Sequence, residues 1–188
     1  TSPVVIPAGY EITIDLNGKT ISYENNVAGE AMITNRGELT LANGTVTYKY
    51  TGAGDSSYSK GNYTISNGGT LTLENATVEN TTAKMSHASY AIDNNSSAQK
   101  ATLIINNGSK VLNETNFAIR QFSSLENNII LNDGLVKGTR AVWMQLPSND
   151  ATKAPVTTLT VNGGTLEGTG ESQDYKLAVY TYSYGNSM

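Results

Sequence analysis

The residues most able to do chemistry occupy one position that recurs along the chain, directly after the centre of a short apolar motif. They are Thr34, Ser66, Asp93, Arg120, Trp143 and Tyr180. Aromatic faces can stack on sugar rings, and carboxylate or guanidinium groups can hydrogen-bond sugar hydroxyls or a uronate carboxylate. Asp93, Arg120, Trp143 and Tyr180 are therefore the candidate ligand-binding residues.

A structural interpretation of the same residues is also open. Trp143 could be covered by the connection 168–176 instead of facing solvent. Asp93 and Arg120 could form a surface ion pair between successive repeats, which contributes little to stability.

The motif that positions these residues is apolar at its centre. Its copies are Ala31–Asn35, Tyr63–Asn67, Tyr90–Asn94, Phe117–Gln121, Arg140–Met144 and Leu177–Thr181, with an opening copy at Val4–Ile6. Aligned on the centre, the copies give a column 23 to 37 residues apart: Val5, Ile33, Ile65, Ile92, Ile119, Val142 and Val179. Because side chains alternate along a strand, we expect this column to face inward and both flanking positions to face outward. The residues before the centre form a track of mostly small side chains: Met32, Thr64, Ala91, Ala118, Ala141 and Ala178.

A second repeated segment lies between the copies of the first and reads as a strand, a tight corner and a short strand. Its copies are Ile12–Ile21, Leu39–Val46, Leu71–Val78, Leu103–Val111, Ile129–Val136 and Leu159–Leu166. Asn and Gly at the corner tolerate the left-handed backbone that such a turn needs. We expect a structural ladder of stacked side chains at this corner, formed by Asn43, Asn75, Asn107 and Asp133.

The two motifs together give three strands in each repeat of about 30 residues, and no helical period is present. This pattern predicts an all-β, single-stranded parallel β-helix of about six three-strand rungs, stacked about 4.8 Å apart. A β-propeller has longer repeats, of about 40–50 residues, and a β-sandwich does not need matching corners.

The opening segment, VVIPAGYEITIDLNGKTI from Val4 to Ile21, resembles the first rung of pectate-lyase-like repeat regions in large surface proteins of Gram-positive, often gut-dwelling, bacteria. Leu159–Leu166 also resembles rungs of autotransporter passenger domains. The resemblance covers nearly the whole chain and implies a right-handed coil and an extracellular or cell-surface location. In that family the apolar motif is strand PB1, and the two halves of the second motif are PB2 and PB3. Enzymes of this fold commonly bind substrate along PB1.

The composition excludes several kinds of chemistry. The 188 residues include no Cys and one His, which removes disulfides, thiolate catalysis and most His-dependent sites. A net charge of -4 without a basic cluster argues against a nucleic acid partner, and no apolar run is long enough to span a membrane. We expect no cofactor and no metal.

The candidate site is also poor in catalytic groups. A lyase of the resembled family would want several acids for calcium and a basic residue, and glycoside hydrolysis needs two carboxylates about 5–9.5 Å apart. Asp93 has no second carboxylate in its column. We therefore assign no catalytic residue.

We expect residues 1–188 to be one β-helix domain, cut from a longer bacterial surface protein. Its predicted function is non-catalytic adhesion or structural support, with polysaccharide or a host glycan bound along PB1. The alternatives are a carbohydrate-active enzyme, a lyase or hydrolase or its remnant, and a fibre subunit that stacks on itself end to end.

Overall fold

The structure is a computed structural model that describes residues 2–52, 61–83, 89–95, 98–122, 125–146, 157–171 and 176–183. Strands account for all the regular structure of these residues. The described residues contain no helix that could cross a membrane. The strands are β1 (Val4–Ile6), β2 (Glu11–Asp15), β3 (Thr20–Asn25), β4 (Ala31–Asn35), β5 (Glu38–Tyr50), β6 (Asn62–Asn67), β7 (Thr70–Asn80), β8 (Ser89–Asn94), β9 (Thr102–Asn106), β10 (Lys110–Asn113), β11 (Ile119–Phe122), β12 (Asn128–Leu131), β13 (Leu135–Gly138), β14 (Val142–Leu146), β15 (Thr158–Val161), β16 (Thr165–Gly168) and β17 (Val179–Ser183).

The PB1 motif forms a seven-stranded parallel sheet in the order β1-β4-β6-β8-β11-β14-β17. Six successive pairings join these strands, which agrees with the prediction of about six rungs. The predicted apolar column is in register from Ile33 to Val179. The opening copy was misaligned by one residue, because Val4 pairs with Ile33 and Val5 pairs with Thr34.

The second motif forms the other sheet, which is also entirely parallel. Strands β2, β9, β12 and β15 are PB2, strands β3, β10, β13 and β16 are PB3, and β5 and β7 each run through both. Equivalent residues stack from rung to rung, as Leu39, Leu71, Leu103, Ile129 and Leu159 do. The predicted parallel β-solenoid is confirmed. Its right-handedness stays a prediction, in line with the strong preference of parallel crossovers for that hand.

The core is a narrow column of stacked aliphatic side chains inside the coil. Its central members are fully buried, among them Ile65, Leu71 and Ile92 at 0% exposure. Equivalent positions in the first and last rungs are more open, with Ile21 at 41% and Val179 at 36%. Burying such side chains contributes about 1.5–3 kcal/mol each, so the middle rungs carry most of the hydrophobic stabilisation.

The track before the apolar column faces the core instead of solvent, which corrects the prediction made from strict alternation. Met32, Ala91, Ala118 and Ala141 are buried and belong to the hydrophobic core, and Thr64 is 0% exposed. In β11 and β14 the strand begins only after the alanine, which lies at a bend. The bend lets two successive residues point inward, and a methyl side chain fits where the coil is narrow.

Candidate functional site

The four candidate residues do lie side by side on neighbouring rungs. Asp93 pairs with Arg120, Arg120 with Trp143, and Trp143 with Tyr180. We call the whole series, Thr34, Ser66, Asp93, Arg120, Trp143 and Tyr180, the outer PB1 row. The expectation that it faces solvent is wrong at its centre, because Asp93 is 3%, Arg120 8% and Trp143 7% exposed. Tyr180 is half-buried.

Aromatic side chains from the start of three successive PB1 motifs, Tyr63, Tyr90 and Phe117, pack beside the row. Tyr63 stacks on Tyr90 with ring centres 5.7 Å apart, and Tyr90 stacks on Phe117 at 6.0 Å. Trp143 packs edge-on against Phe117 at 5.2 Å. Where Ala118 and Ala141 lie at the bend, the residues before them, Phe117 and Arg140, contact each other beside the row. The result is a second, aromatic core on the outer face of PB1.

Asp93 and Arg120 form a buried, bidentate ion pair inside this aromatic layer. Arg120 donates from Nε to Oδ1 of Asp93 at 2.7 Å and from Nη2 to Oδ2 at 2.9 Å. Its guanidinium also lies over the ring of Tyr90 at 5.1 Å and donates to the Tyr63 hydroxyl at 3.2 Å. Burial lowers the pKa of Arg120, but the Asp93 carboxylate outweighs it and raises that pKa above its ordinary value. Burial and then Asp93 raise the pKa of Tyr63.

The upper part of the row is a cation–aromatic stack. The guanidinium of Arg140 lies 3.8 Å from the ring centre of Tyr180 and 5.0 Å from that of Phe117. The indole Nε1 of Trp143 is buried and has no hydrogen-bond partner among the described residues. Tyr182, which stacks on Tyr180 at 6.4 Å, is 40% exposed. Most of the predicted ligand surface is therefore packed against the protein itself.

A ladder of amide side chains runs through the interior, and sequence reasoning missed it. Asn35 donates to Asn67, Asn67 to Asn94, and Asn94 to Gln121, each at 2.8 Å between side chains. Each amide also donates to a backbone carbonyl, as Asn67 does to Thr102 at 3.0 Å. All four residues are at most 1% exposed. We call these four residues the inner ladder. The sequence feature that could have predicted it is an amide residue at the last position of four successive PB1 motifs.

The predicted corner residues form a row on the solvent side of the PB2–PB3 corner. Asn43, Asn75 and Asn107 have left-handed backbones, with φ of 54°, 51° and 51°, while Gly134 takes the positive φ beside Asp133. Asn75 donates to Asn43 at 3.2 Å, and Asn43 donates to Asp15 at 3.2 Å. We call Asn43, Asn75, Asn107 and Asp133 the corner row.

The corner row is not one continuous ladder of side chains. Asn107 donates to Glu74 and not to Asn75. Asp133 accepts the backbone N–H of Gly108 at 2.9 Å. A separate amide ladder continues one residue earlier in the turn, from Asn162 to Asn132 at 2.7 Å and from Asn132 to Asn106 at 2.8 Å.

Within the described part of the chain, no three acidic or histidine side chains lie close enough together to hold a metal ion. Comparison of the chain with family models, with curated proteins and with solved structures found no match. The stacked parallel strands and their registered side-chain columns define the class of the protein, which is a parallel β-solenoid.

Proposed function

We propose that this chain is a rigid, non-catalytic structural module of an extracellular bacterial surface protein, of the pectate-lyase-like β-helix type. The observation that supports the proposal is that neighbouring rungs are hydrogen-bonded to each other along the coil. Parallel pairing joins neighbouring strands along both sheets, and the inner ladder adds buried side-chain bonds along the same axis. A coil tied in this way suits a spacer that holds other parts of a protein at a fixed distance.

The burial of the outer PB1 row favours a structural use of its residues. Asp93 gives both carboxylate oxygens to Arg120, and Arg120 is enclosed by aromatic rings. A group that already bonds inside the protein must break those bonds before it can contact a glycan or act on one. A glycan partner along PB1 and the enzyme alternative are therefore less favoured than the structural module.

A distance measurement between spin labels tests the rigidity of the spacer. The chain contains no cysteine, so Thr13→Cys and Thr160→Cys can be labelled cleanly. Both positions are exposed and belong to one register column of PB2, five rung spacings apart. We expect a narrow distribution near about 24 Å, from a spacing of about 4.8 Å, which broadens in denaturant. A broad distribution in native buffer would contradict the spacer.

Incubation with pectins and other acidic polysaccharides, with and without calcium, tests the enzyme alternative. The proposal expects no new reducing ends and no unsaturated products. Formation of either product by the wild type would instead favour the enzyme.

End-to-end association is a second candidate, favoured by partly exposed core positions in the first and last described rungs. Val4 and Ile21 are 45% and 41% exposed in the first rung, and Val161 and Val179 are 49% and 36% exposed in the last. A head-to-tail contact without a closing rotation builds filaments. Sedimentation at rising protein concentration tests it: growing particles support stacking, and a constant monomer mass contradicts it.

A further inference from the structure

A shallow groove of about 360 Å³ lies on the solvent side of the PB2–PB3 corner, away from the outer PB1 row. It spans three successive rungs and is lined by Gly18, Asn43, Gly44, Thr45, Asn75 and Thr77. The long axis of this groove therefore follows the axis of the coil.

Each wall of the groove is built from equivalent residues of two successive rungs. Thr45 pairs with Thr77, so their side chains form one wall with hydroxyls a rung apart. Asn43 and Asn75 form the other wall, because their left-handed backbones turn these exposed side chains to the corner. Gly44, between the walls, has no side chain. Amides and hydroxyls thus face one concave strip at a repeat of about 4.8 Å.

The hydroxyls of Thr45 and Thr77 differ from those of Thr64 and Thr115, which are used up inside the coil. The hydroxyl of Thr64 donates to the Glu79 carbonyl at 2.8 Å, and that of Thr115 to the Thr82 carbonyl at 2.6 Å. Those of Thr45 and Thr77 are half-exposed and bond to no other group in the described ranges. Each can both donate and accept a hydrogen bond, which leaves them available to a ligand rich in hydroxyls.

The charges around the groove favour a neutral ligand. None of the lining side chains is charged. The Asp15 carboxylate accepts the Asn43 amide at one end, and Lys110 follows Thr77 in register at the other. Because these opposite charges flank an uncharged strip, neither an acidic nor a cationic polysaccharide gains a net attraction along it.

We infer that the corner groove binds a neutral oligosaccharide chain lying along the coil axis, with its hydroxyls bonded to Thr45, Thr77 and Oδ1 of Asn75. An extended β-1,4-linked chain suits it, because successive sugars advance by nearly one rung. The inference does not depend on the spacer proposal and uses no residue of the outer PB1 row.

Titration of the ¹⁵N-labelled chain with cellohexaose, followed by amide NMR spectra, tests the inference. We expect shifts concentrated at residues 17–20, 43–45 and 75–77. The double variant Thr45→Val/Thr77→Val should raise Kd at least about fivefold, because two hydrogen bonds are lost. The pair Thr45→Ser/Thr77→Ser keeps the hydroxyls and should bind like the wild type.

The matched control is Thr40→Val/Thr72→Val, which changes two registered, half-buried threonines on the outer face of PB2. It should leave Kd unchanged, and the free spectra of all variants report whether they fold. The inference is overturned if cellohexaose causes no shifts, or if the shifts centre on the outer PB1 row. It is equally overturned if both valine pairs weaken binding alike, or if only polygalacturonate binds.

Discussion

Two rows of amide side chains repeat once per rung in this solenoid, and they lie in opposite environments. Asn35, Asn67 and Asn94 of the inner ladder are 0% exposed, whereas Asn43 and Asn75 of the corner row are exposed. Both rows link neighbouring rungs through side-chain hydrogen bonds. The same residue type thus performs the same geometric task inside and outside the coil.

The two rows differ in whether water can replace a side-chain hydrogen bond that is lost. Asn67 donates to both Asn94 and the Thr102 carbonyl, and no water reaches these buried groups in place of the amide. Asn75 donates to Asn43 at 3.2 Å at an exposed site, where water can take over. A buried polar group left unpaired costs about 1–3 kcal/mol. Stability should therefore depend strongly on polar contacts inside the protein and weakly on identical contacts outside.

The largest expected effect comes from comparing a buried ion pair with a more exposed one. Arg120→Met leaves the buried Asp93 carboxylate without its partner and should lower the free energy of unfolding by about 4 kcal/mol. Lys137→Met breaks the more exposed pair with Glu167, whose charged atoms lie 2.9 Å apart, and should cost much less, because solvent screens this pair. Urea unfolding of both variants measures the difference.

The double variant Arg120→Met/Asp93→Asn distinguishes the cost of the unpaired charge from the cost of lost packing around Arg120. It should recover a large part of the loss, because the unpaired buried charge is gone. Equal losses in Arg120→Met and Lys137→Met would show that burial does not decide the strength of these contacts.

The next largest effect compares the two amide rows directly, with an isosteric change. In Asn67→Asp the new carboxylate faces the Asn94 Oδ1 and the Thr102 carbonyl oxygen without a proton to donate. We expect a loss of about 3 kcal/mol in the free energy of unfolding. Asn75→Asp removes one donor at an exposed site and should cost under about 1 kcal/mol.

Acid provides the control for this pair of variants. Protonation restores a donor to the carboxyl group at position 67, so the difference in unfolding free energy between the two variants should narrow as pH falls. A gap that is absent at neutral pH, or that widens in acid, would contradict the explanation.

The register of the coil could be predicted because the sequence repeats the same kinds of apolar residue at the same strand positions. Leu39, Leu71 and Leu103 stack as aligned. The exposure of PB1 could not be predicted by the same means. Alternation assumes an unbent strand, and the bend at Ala118 and Ala141 reverses the side on which the neighbouring residues lie. The inner ladder was missed because asparagine in a turn-rich sequence is first assigned to corners.

A smaller effect is expected at alkaline pH, where buried tyrosines should make the free energy of unfolding depend on pH. Burial raises the pKa of both Tyr48 and Tyr63, with Glu30 adding to the effect for Tyr48 and Asp93 for Tyr63. The unfolded chain therefore loses these protons first, from about pH 10, and stability present below that pH is lost as pH rises. Each such group can contribute up to about 1.4 kcal/mol per pH unit.

The variant Tyr63→Phe isolates one of these groups. It removes the bond from Arg120 at every pH, so the slope with pH is the quantity to compare. Between pH 9 and 11 the variant should lose about 1 kcal/mol less than the wild type. Parallel curves would mean that Tyr63 does not control the alkaline transition.

The smallest effect concerns Trp143, which combines a large buried area with a buried donor that has no hydrogen-bond partner among the described residues. Trp143→Phe should lose apolar contact with Phe117 but also remove this buried N–H, and these two consequences oppose each other. We expect the free energy of unfolding to change by less than about 1 kcal/mol. Since Trp143 is the sole tryptophan, its emission in the wild type should move to longer wavelength on unfolding. A loss of about 3 kcal/mol or more would instead mean that the indole N–H has a bound partner in solution, such as an ordered water. The outer PB1 row would then contain a polar site and not only a packed aromatic layer.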